Sequence, residues 1–407
     1  MPARRPNGLT APARGATLPA RACRLQTMAP MALMALMCLA AVIGPVLRPC
    51  FAASSGEPIR IAAIYAETGE PSVGTAGQDF RGAALAVEAV NASGGLLGRR
   101  VELVTFDNAG TPLGARQAAL RAVEAGVTAV VGGPWSGMTV AMAEVCQKAR
   151  VPFVASIATH PDVTRTGEWI FRVCYTDDQQ GELLARFART GLSAATAAIL
   201  VNVGSSYSQG LAATFSRAFT AAGGRIVSEQ PFKTNDTDFA AQLAAVADAA
   251  PDVVFLPSYA LESGHIVRQA ASLGITATFL GGDGWGPAMA DTGRAAVNGH
   301  FYTTHWHPDV PLAAGRDIAQ AYRKAHGRDP VQPDAILAHD AVMVLADAVR
   351  RAGSLDRDMI REALARTRDV QGGTGSITFD PGRNPLDKEV CIMRFENGQA
   401  VFFSSFR

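Results

Sequence analysis

From residue 59 onward, short β-branched runs alternate with longer alanine-rich stretches, and this rhythm limits the fold more than any other feature of the chain. Strand candidates fall at 59–65, 101–107, 128–132, 152–156, 197–203, 225–228, 253–256, 278–280 and 300–304, each followed by a helical stretch. Strands spaced this way read as βαβ units, because a parallel neighbour needs a crossover long enough to hold a helix. The first helix, 78–91, sets Phe80, Ala84, Val87 and Val90 near one face and ends at Ser93-Gly94-Gly95, a glycine stop of the kind that left-handed C-caps require. The second has Thr111 as cap, Pro112 at the first helical position and Gly126 beyond its end. The units form two groups, 59 to about 175 and 196 to about 304, joined at 173–178. Helices at 315–327, 333–351 and 356–367 and terminal strands near Ile377 and Val390 complete the pattern. With no internal repeat of roughly 20–50 residues, a solenoid is excluded. The expected class is α/β: two doubly wound, Rossmann-like lobes with parallel sheets, whose ligands sit outside the carboxyl ends of the strands.

Charge divides the chain differently. Residues 1–52 carry six arginines and no acid, and 31–43 is an uninterrupted apolar run ended by Gly44-Pro45. Thirteen residues suit a secretory leader and fall short of the roughly 20 needed to cross a bilayer. Cys50-Phe51-Ala52 offers small residues where a signal peptidase reads, which places cleavage after Ala52; an uncleaved anchor over 26–47 is the competing reading. Residues 1–52 are therefore read as a signal peptide and the protein as exported to the periplasm. The remaining 355 residues hold 31 basic against 36 acidic side chains. Nucleic acid is a poor partner for such a balance, since phosphate binding needs clustered positive charge. Beyond the leader only Cys146, Cys174 and Cys391 remain, enough for one bridge at most, with a Cys146–Cys174 pair left open.

Enzyme signatures are sparse. Ser136 in Gly133-Pro134-Trp135-Ser136-Gly137 sits one place late for a nucleophile elbow, and Gly281-Gly282-Asp283-Gly284-Trp285-Gly286 lacks dinucleotide-binding spacing. His305-Trp306-His307 sets two imidazoles on one strand face without a third ligand nearby, so ordinary strand-end histidines compete with a metal pair. The expectation is no catalytic residue, no metal and no cofactor. Polar residues instead collect in loops after strands. Ser136 heads a helix spanning 138–149, as anion site or plain N-cap. Thr159, with Ala158 offering a backbone group, follows the next strand, where a turn threonine is the alternative. Tyr207 and Tyr259 hold corresponding places in the second group, or pack beneath loops. Asp283 is the one acid in its glycine-rich turn, fit either to meet an ammonium or to form an Asx turn.

The order and spacing of Arg81-Gly82-Ala83, Asn91-Ala92-Ser93-Gly94-Gly95, Tyr207-Ser208-Gln209-Gly210, Asp236-Thr237-Asp238-Phe239, Asp252-Val253-Val254-Phe255 and Arg268-Gln269-Ala270 resemble the periplasmic leucine/isoleucine/valine-binding proteins. These are amino-acid receptors of ABC importers with the type I two-lobe fold. The resemblance implies lobe 1 at 57–176 plus about 306–387 and lobe 2 at 177–305 plus about 388–407. Hinge strands are then near Thr176, near Thr304 and between Pro385 and Val390. It further implies that Ser136, Thr159 and the backbone near Ala158 hold the ligand α-carboxylate. Tyr207, Tyr259 and Asp283 come from the second lobe, the acid pairing with the α-ammonium where the relatives carry the longer Glu. The disulfide of those receptors has no counterpart, as Gly110 and Trp135 occupy its positions; Trp135 and Trp285 are expected to reshape the side-chain pocket. The implied function is capture of an amino acid, branched-chain or related, for a membrane permease, by a protein acting as a monomer. A ligand-sensing receptor for amino acids or amides, a receptor for another organic acid, and an enzyme in the cleft are the alternatives.

Overall fold

The computed structural model describes residues 56–69, 77–330 and 332–406, so the leader expected at 1–52 lies outside the described residues. The first sheet is built by β1 (Ile59–Tyr65), α1 (Gln78–Ala92), β2 (Val101–Asp107), α2 (Pro112–Glu124), β3 (Ala129–Gly132), α3 (Ser136–Ala149), β4 (Phe153–Ala155), α4 (Asp162–Arg165) and β5 (Ile170–Arg172). Its order is β2-β1-β3-β4-β5, parallel throughout. The chain then forms α5 (Asp177–Arg186), β6 (Thr196–Asn202), α6 (Ser206–Ala221), β7 (Arg225–Phe232), α7 (Ala240–Ala249), β8 (Val253–Phe255), α8 (Ala260–Ser272), β9 (Thr278–Gly281), α9 (Met289–Gly293) and β10 (Phe301–Thr304). Last come α10 (Ala313–His326), α11 (Asp334–Ala352), α12 (Arg357–Ala365), β11 (Val370–Gly372), β12 (Gly375–Ile377), β13 (Val390–Glu396) and β14 (Gln399–Phe406). The second sheet runs β14-β13-β10-β9-β8-β6-β7, with the β10–β13 and β13–β14 pairs antiparallel and the others parallel.

Both sheets are covered on two faces, which is why their strands read as continuous apolar runs. In β1, Ile59, Ile61, Ala63 and Tyr65 pack beneath α1, α11 and α12, while Ala62 and Ile64 face α2 and α3. Likewise Ala197, Ile199 and Val201 of β6 face α5 and α6, and Ala198 and Leu200 face the opposite core. Because α11, α12 and Phe379 join the first core while Val390 and Ile392 join the second, the chain crosses between lobes near Tyr175, after Thr304 and before Val390. The third crossing is moored on the first-lobe side. Buried Lys388 donates through Nζ to the Thr374 carbonyl at 2.8 Å, and Thr374 Oγ1 donates to Asp340 Oδ2 at 2.6 Å.

The α/β class with two doubly wound parallel lobes is what the structure has, and the departures from expectation are local. Strand β7 continues to Phe232 although Pro231 interrupts its sequence pattern; β7 is an edge strand, where a missing N–H is tolerated. The buried stripe of α1 is Asp79, Gly82, Ala83, Ala86, Val87 and Val90, with Phe80 and Ala84 only partly buried. Gly82 is the reason: a Cβ there would lie 2.0 Å from the Ala335 carbonyl oxygen, so α1 and α11 meet backbone to backbone. Cys146, Cys174 and Cys391 are all free and buried, which closes the open question of a Cys146–Cys174 bridge.

Candidate functional site

The strand order 2-1-3-4-5 recurs in each lobe, so each sheet reverses direction at one place, between β1 and β3 in the first and between β6 and β8 in the second. The crevices that such reversals open at the carboxyl ends of strands are where ligands bind in doubly wound sheets. A cleft of about 720 Å³ lies there, lined from both lobes by Trp135, Ser136, Thr159, Tyr207, Tyr259 and Asp283, and also by Asp79, Asn202, Glu262 and Asp334.

On the first lobe the chain leaves β3 through Gly132 and Gly133 and enters α3. Gly133 has φ 86°, and a Cβ there would lie 2.6 Å from Thr139 Oγ1, so glycine is required for this turn. The N-cap is Trp135, in extended conformation and with no capping side chain; Ser136 is the first helical residue, which corrects the expected serine cap and the helix start at 138. Leading N–H groups of a helix have no intrahelical partner and carry its positive end, and here they belong to Ser136, Gly137 and Met138, all at the cleft wall. Ser136 Oγ accepts from the His160 N–H at 3.3 Å, and Thr159 is buried beside it. Ala158 has less to offer than expected. Its N–H donates to the Gly133 carbonyl at 3.1 Å and its carbonyl accepts from Arg172 Nη1 at 3.0 Å. Fully buried Arg172 also donates to the His160 carbonyl at 2.8 Å, holding the Thr159 loop from behind.

On the second lobe Tyr207 stacks on Tyr259 with centroids 5.3 Å apart, and Trp135 meets Tyr259 edge-on at 6.4 Å across the cleft. The Tyr207 hydroxyl accepts from the Gly284 N–H at 2.9 Å. Asp283 is fixed by two donors that were not anticipated. Gln180 Nε2 reaches Oδ1 at 2.8 Å, and His305 Nε2 lies 3.0 Å from Oδ2 with its ring stacked on Tyr175 at 3.8 Å. The same Gln180 Nε2 donates to Asp177 Oδ1 at 2.7 Å, while Gln180 Oε1 accepts from Thr303 Oγ1 at 2.8 Å and from the Asp283 N–H at 3.2 Å. Burial, and after it the Asp283 charge, push Asp177 up to about 8. The same two causes, in the same order, raise both tyrosines.

Trp285 does not line the cleft. At 2% exposure its indole packs in the core beyond the sheet and donates to the Leu256 carbonyl at 3.1 Å, so the expected role in a side-chain pocket is withdrawn. His305 and His307 do not form a metal pair: His305 turns to Asp283, while His307 stacks on Phe402. Among the described residues no cluster of three metal-ligating side chains occurs. The residues missed are Asp79, Asp334 and Gln180, while His305, read from sequence only as half of a metal pair or an ordinary strand-end histidine, turns out to hold Asp283. A signal for Gln180 was present, since Thr176 and Gln179 form a capping box that fixes the start of α5 and therefore its inward face.

The sequence pattern of a family described as periplasmic binding protein matches residues 58–400. The Leu/Ile/Val-binding protein BraC3 of Rhizobium johnstonii is 30% identical over 362 residues, spanning 86% of this chain and 95% of that protein. Among solved structures, the leucine binding protein LivK from Thermotoga maritima is similar with a TM-score of 0.79 at 33% identity, covering 85% of this chain and 98% of its own. The branched-chain amino acid transporter substrate binding protein LivJ from Streptococcus pneumoniae, in complex with isoleucine, has a TM-score of 0.77 at 30% identity, covering 85% of this chain and all of that one.

Proposed function

The chain belongs to the periplasmic binding protein family, and from that premise we propose that it captures an amino acid for an ABC importer by closing two lobes around the zwitterion. The branch is that of the branched-chain amino acid ABC transporter substrate-binding proteins. One observation carries the ligand class: the cleft presents the uncapped positive end of α3 on one lobe and the Asp283 carboxylate on the other. An α-carboxylate meets the N–H groups at Ser136 to Met138, the Ser136 hydroxyl and Thr159. An α-ammonium meets Asp283, whose two existing donors orient it and leave lone pairs for a third. Tyr207, Tyr259 and Trp135 wall the site with aromatic surface. A simple carboxylic acid would leave the Asp283 charge facing an apolar group in a closed cleft, which is costly.

Because the contacts come from both lobes, only the closed state makes all of them, and ligand binding draws the equilibrium toward closure. The lobes proposed are 57–176 with about 306–387 and 177–305 with about 388–407, hinged at the three crossings. Export by the basic, apolar leader puts the receptor in the periplasm, where its closed form docks as a monomer on a membrane permease. The test is a thermal-shift and calorimetric panel of the twenty amino acids with benzoate and small amides. An amino acid at 100 times its Kd should stabilise the protein by about 2.7 kcal/mol. Asp283→Ala should lower amino-acid affinity at least a hundredfold while the protein remains folded. Shifts produced only by ligands that lack an α-ammonium would refute the reading.

A further inference from the structure

Four carboxyl groups line the cleft, those of Asp79, Glu262, Asp283 and Asp334, and among its described lining residues there is no lysine, arginine or histidine. Two of the four have partners within the protein. Glu262 accepts from Ser258 Oγ at 2.6 Å and from Asn202, and Asp283 holds Gln180 and His305. Asp79 is only 6% exposed, and its Oδ1 has no hydrogen-bond partner among the described residues, yet it lines the cavity. Asp334, at the start of α11, is partly buried and lines the cavity as well.

A carboxylate in the first turn of a helix is commonly explained by the helix itself, as a cap or a partner for the macrodipole. That explanation is weak for this pair. Neither α1 nor α11 receives a side-chain cap, and Asp79 Oδ1 has no hydrogen-bond partner among the described residues. The close backbone approach at Gly82 and Ala335 brings the two helix starts together, so two acids face one corner of the cleft. Charge accumulates unfavourably here: Asp79 is held well above the usual carboxylate range by burial and then by the charge of Asp334, and Asp334 is pushed up to about 7 by burial and then by Asp283. The buried Tyr65 hydroxyl, with Ser156 beside it, is a further titratable group near these acids, and both charges disfavour it as a phenolate. Unpaired buried carboxylates are destabilising unless something brought to them supplies charge and donors.

We propose that Asp79 and Asp334 form a second, acidic subsite of the cleft that takes a cationic group on the ligand side chain, so that the solute is a basic α-amino acid. This rests on the amino-acid reading above and adds to it. With the α-carboxylate at α3 and the α-ammonium at Asp283, the acids at the α1–α11 corner of the same cleft are left for the terminal ammonium of a four-carbon side chain. An aliphatic side chain placed there would bury two carboxyl groups against hydrocarbon.

The experiment compares L-lysine with L-norleucine, which has the same side-chain carbons and lacks the ε-ammonium, by calorimetry on the purified protein. L-ornithine, L-arginine, L-leucine, cadaverine and benzoate complete the panel. Expected is at least tenfold tighter binding of one basic amino acid than of norleucine or leucine. Asp79→Asn and Asp334→Asn should each reduce that preference at least tenfold while norleucine binds no more weakly. Both variants should melt no lower than the parent without ligand, since burial disfavours the ionised form of each acid; this separates loss of the subsite from loss of the fold. Leucine or norleucine binding as tightly as any basic amino acid would overturn this inference and leave the proposed function standing. Unchanged preference in the asparagine variants would also overturn it. Binding of benzoate or cadaverine alone, or of no amino acid at all, would overturn the amino-acid reading and this inference with it.

Discussion

Asp283 reaches the cleft already gripped on both oxygens, and the same glutamine that grips it also holds Asp177. The buried acids around the cleft give the ligand-free protein an unusual response to pH. Asp334 and Asp177 titrate near 7 and 8 in the folded chain, against about 4 for an unfolded aspartate. Between those values the native state keeps protons that the unfolded state has released, so stability falls as pH rises through that window. The contribution is full below about pH 4 and gone above about pH 8. Urea midpoints for the ligand-free protein should therefore drop from pH 5.5 to pH 8.5, and Asp334→Asn should flatten the drop; a rising midpoint would contradict the assignment. At this scale the sequence was readable where a polar residue follows a strand. Ser136, Thr159, Tyr207, Tyr259 and Asp283 all line one cleft. It was unreadable where one residue turns the side chain to the other side of the sheet, as at Trp285, and where pairing depends on helices far apart in sequence, as for Asp79 and Asp334.

Among the elements, α1 and α11 carry the consequence of one missing methyl group. Alanine is the better helix former by roughly 1 kcal/mol, yet at Gly82 its Cβ would meet the Ala335 carbonyl oxygen at 2.0 Å, and backbone has little room to yield. Steric repulsion outweighs propensity. Gly82→Ala should destabilise by about 1–3 kcal/mol, read as a lower urea midpoint, and should weaken ligand binding by moving α1 away from α11. An unchanged midpoint would show that the helices are not packed this tightly. Most strands were legible because each lies between a glycine or proline signal and an amphipathic helix. Strand β5 was not, being three residues without alternation. Strand β14 had a usable signal: Asn397-Gly398, with φ 51° and 76°, is the two-residue turn that closes a hairpin with β13.

For the molecule as a whole, the two lobes repeat one strand order and put their reversal points against the same cleft. The rhythm of strands and helices was enough to anticipate that. It could not supply the distance between the lobes, which depends on contacts such as Trp135 against Tyr259. Small-angle scattering should show a smaller radius of gyration at saturating amino acid than without it. Identical curves would argue against capture by closure. The mooring of Lys388 then decides where motion is possible. With its ammonium tied to Thr374, and Thr374 to Asp340 of α11, the third connection is anchored to the first lobe at residue 388, and β13 joins the second sheet from Val390. Closure as proposed would bend this connection in the short step between those two anchors, so that a long cleft is worked there by a very short axle.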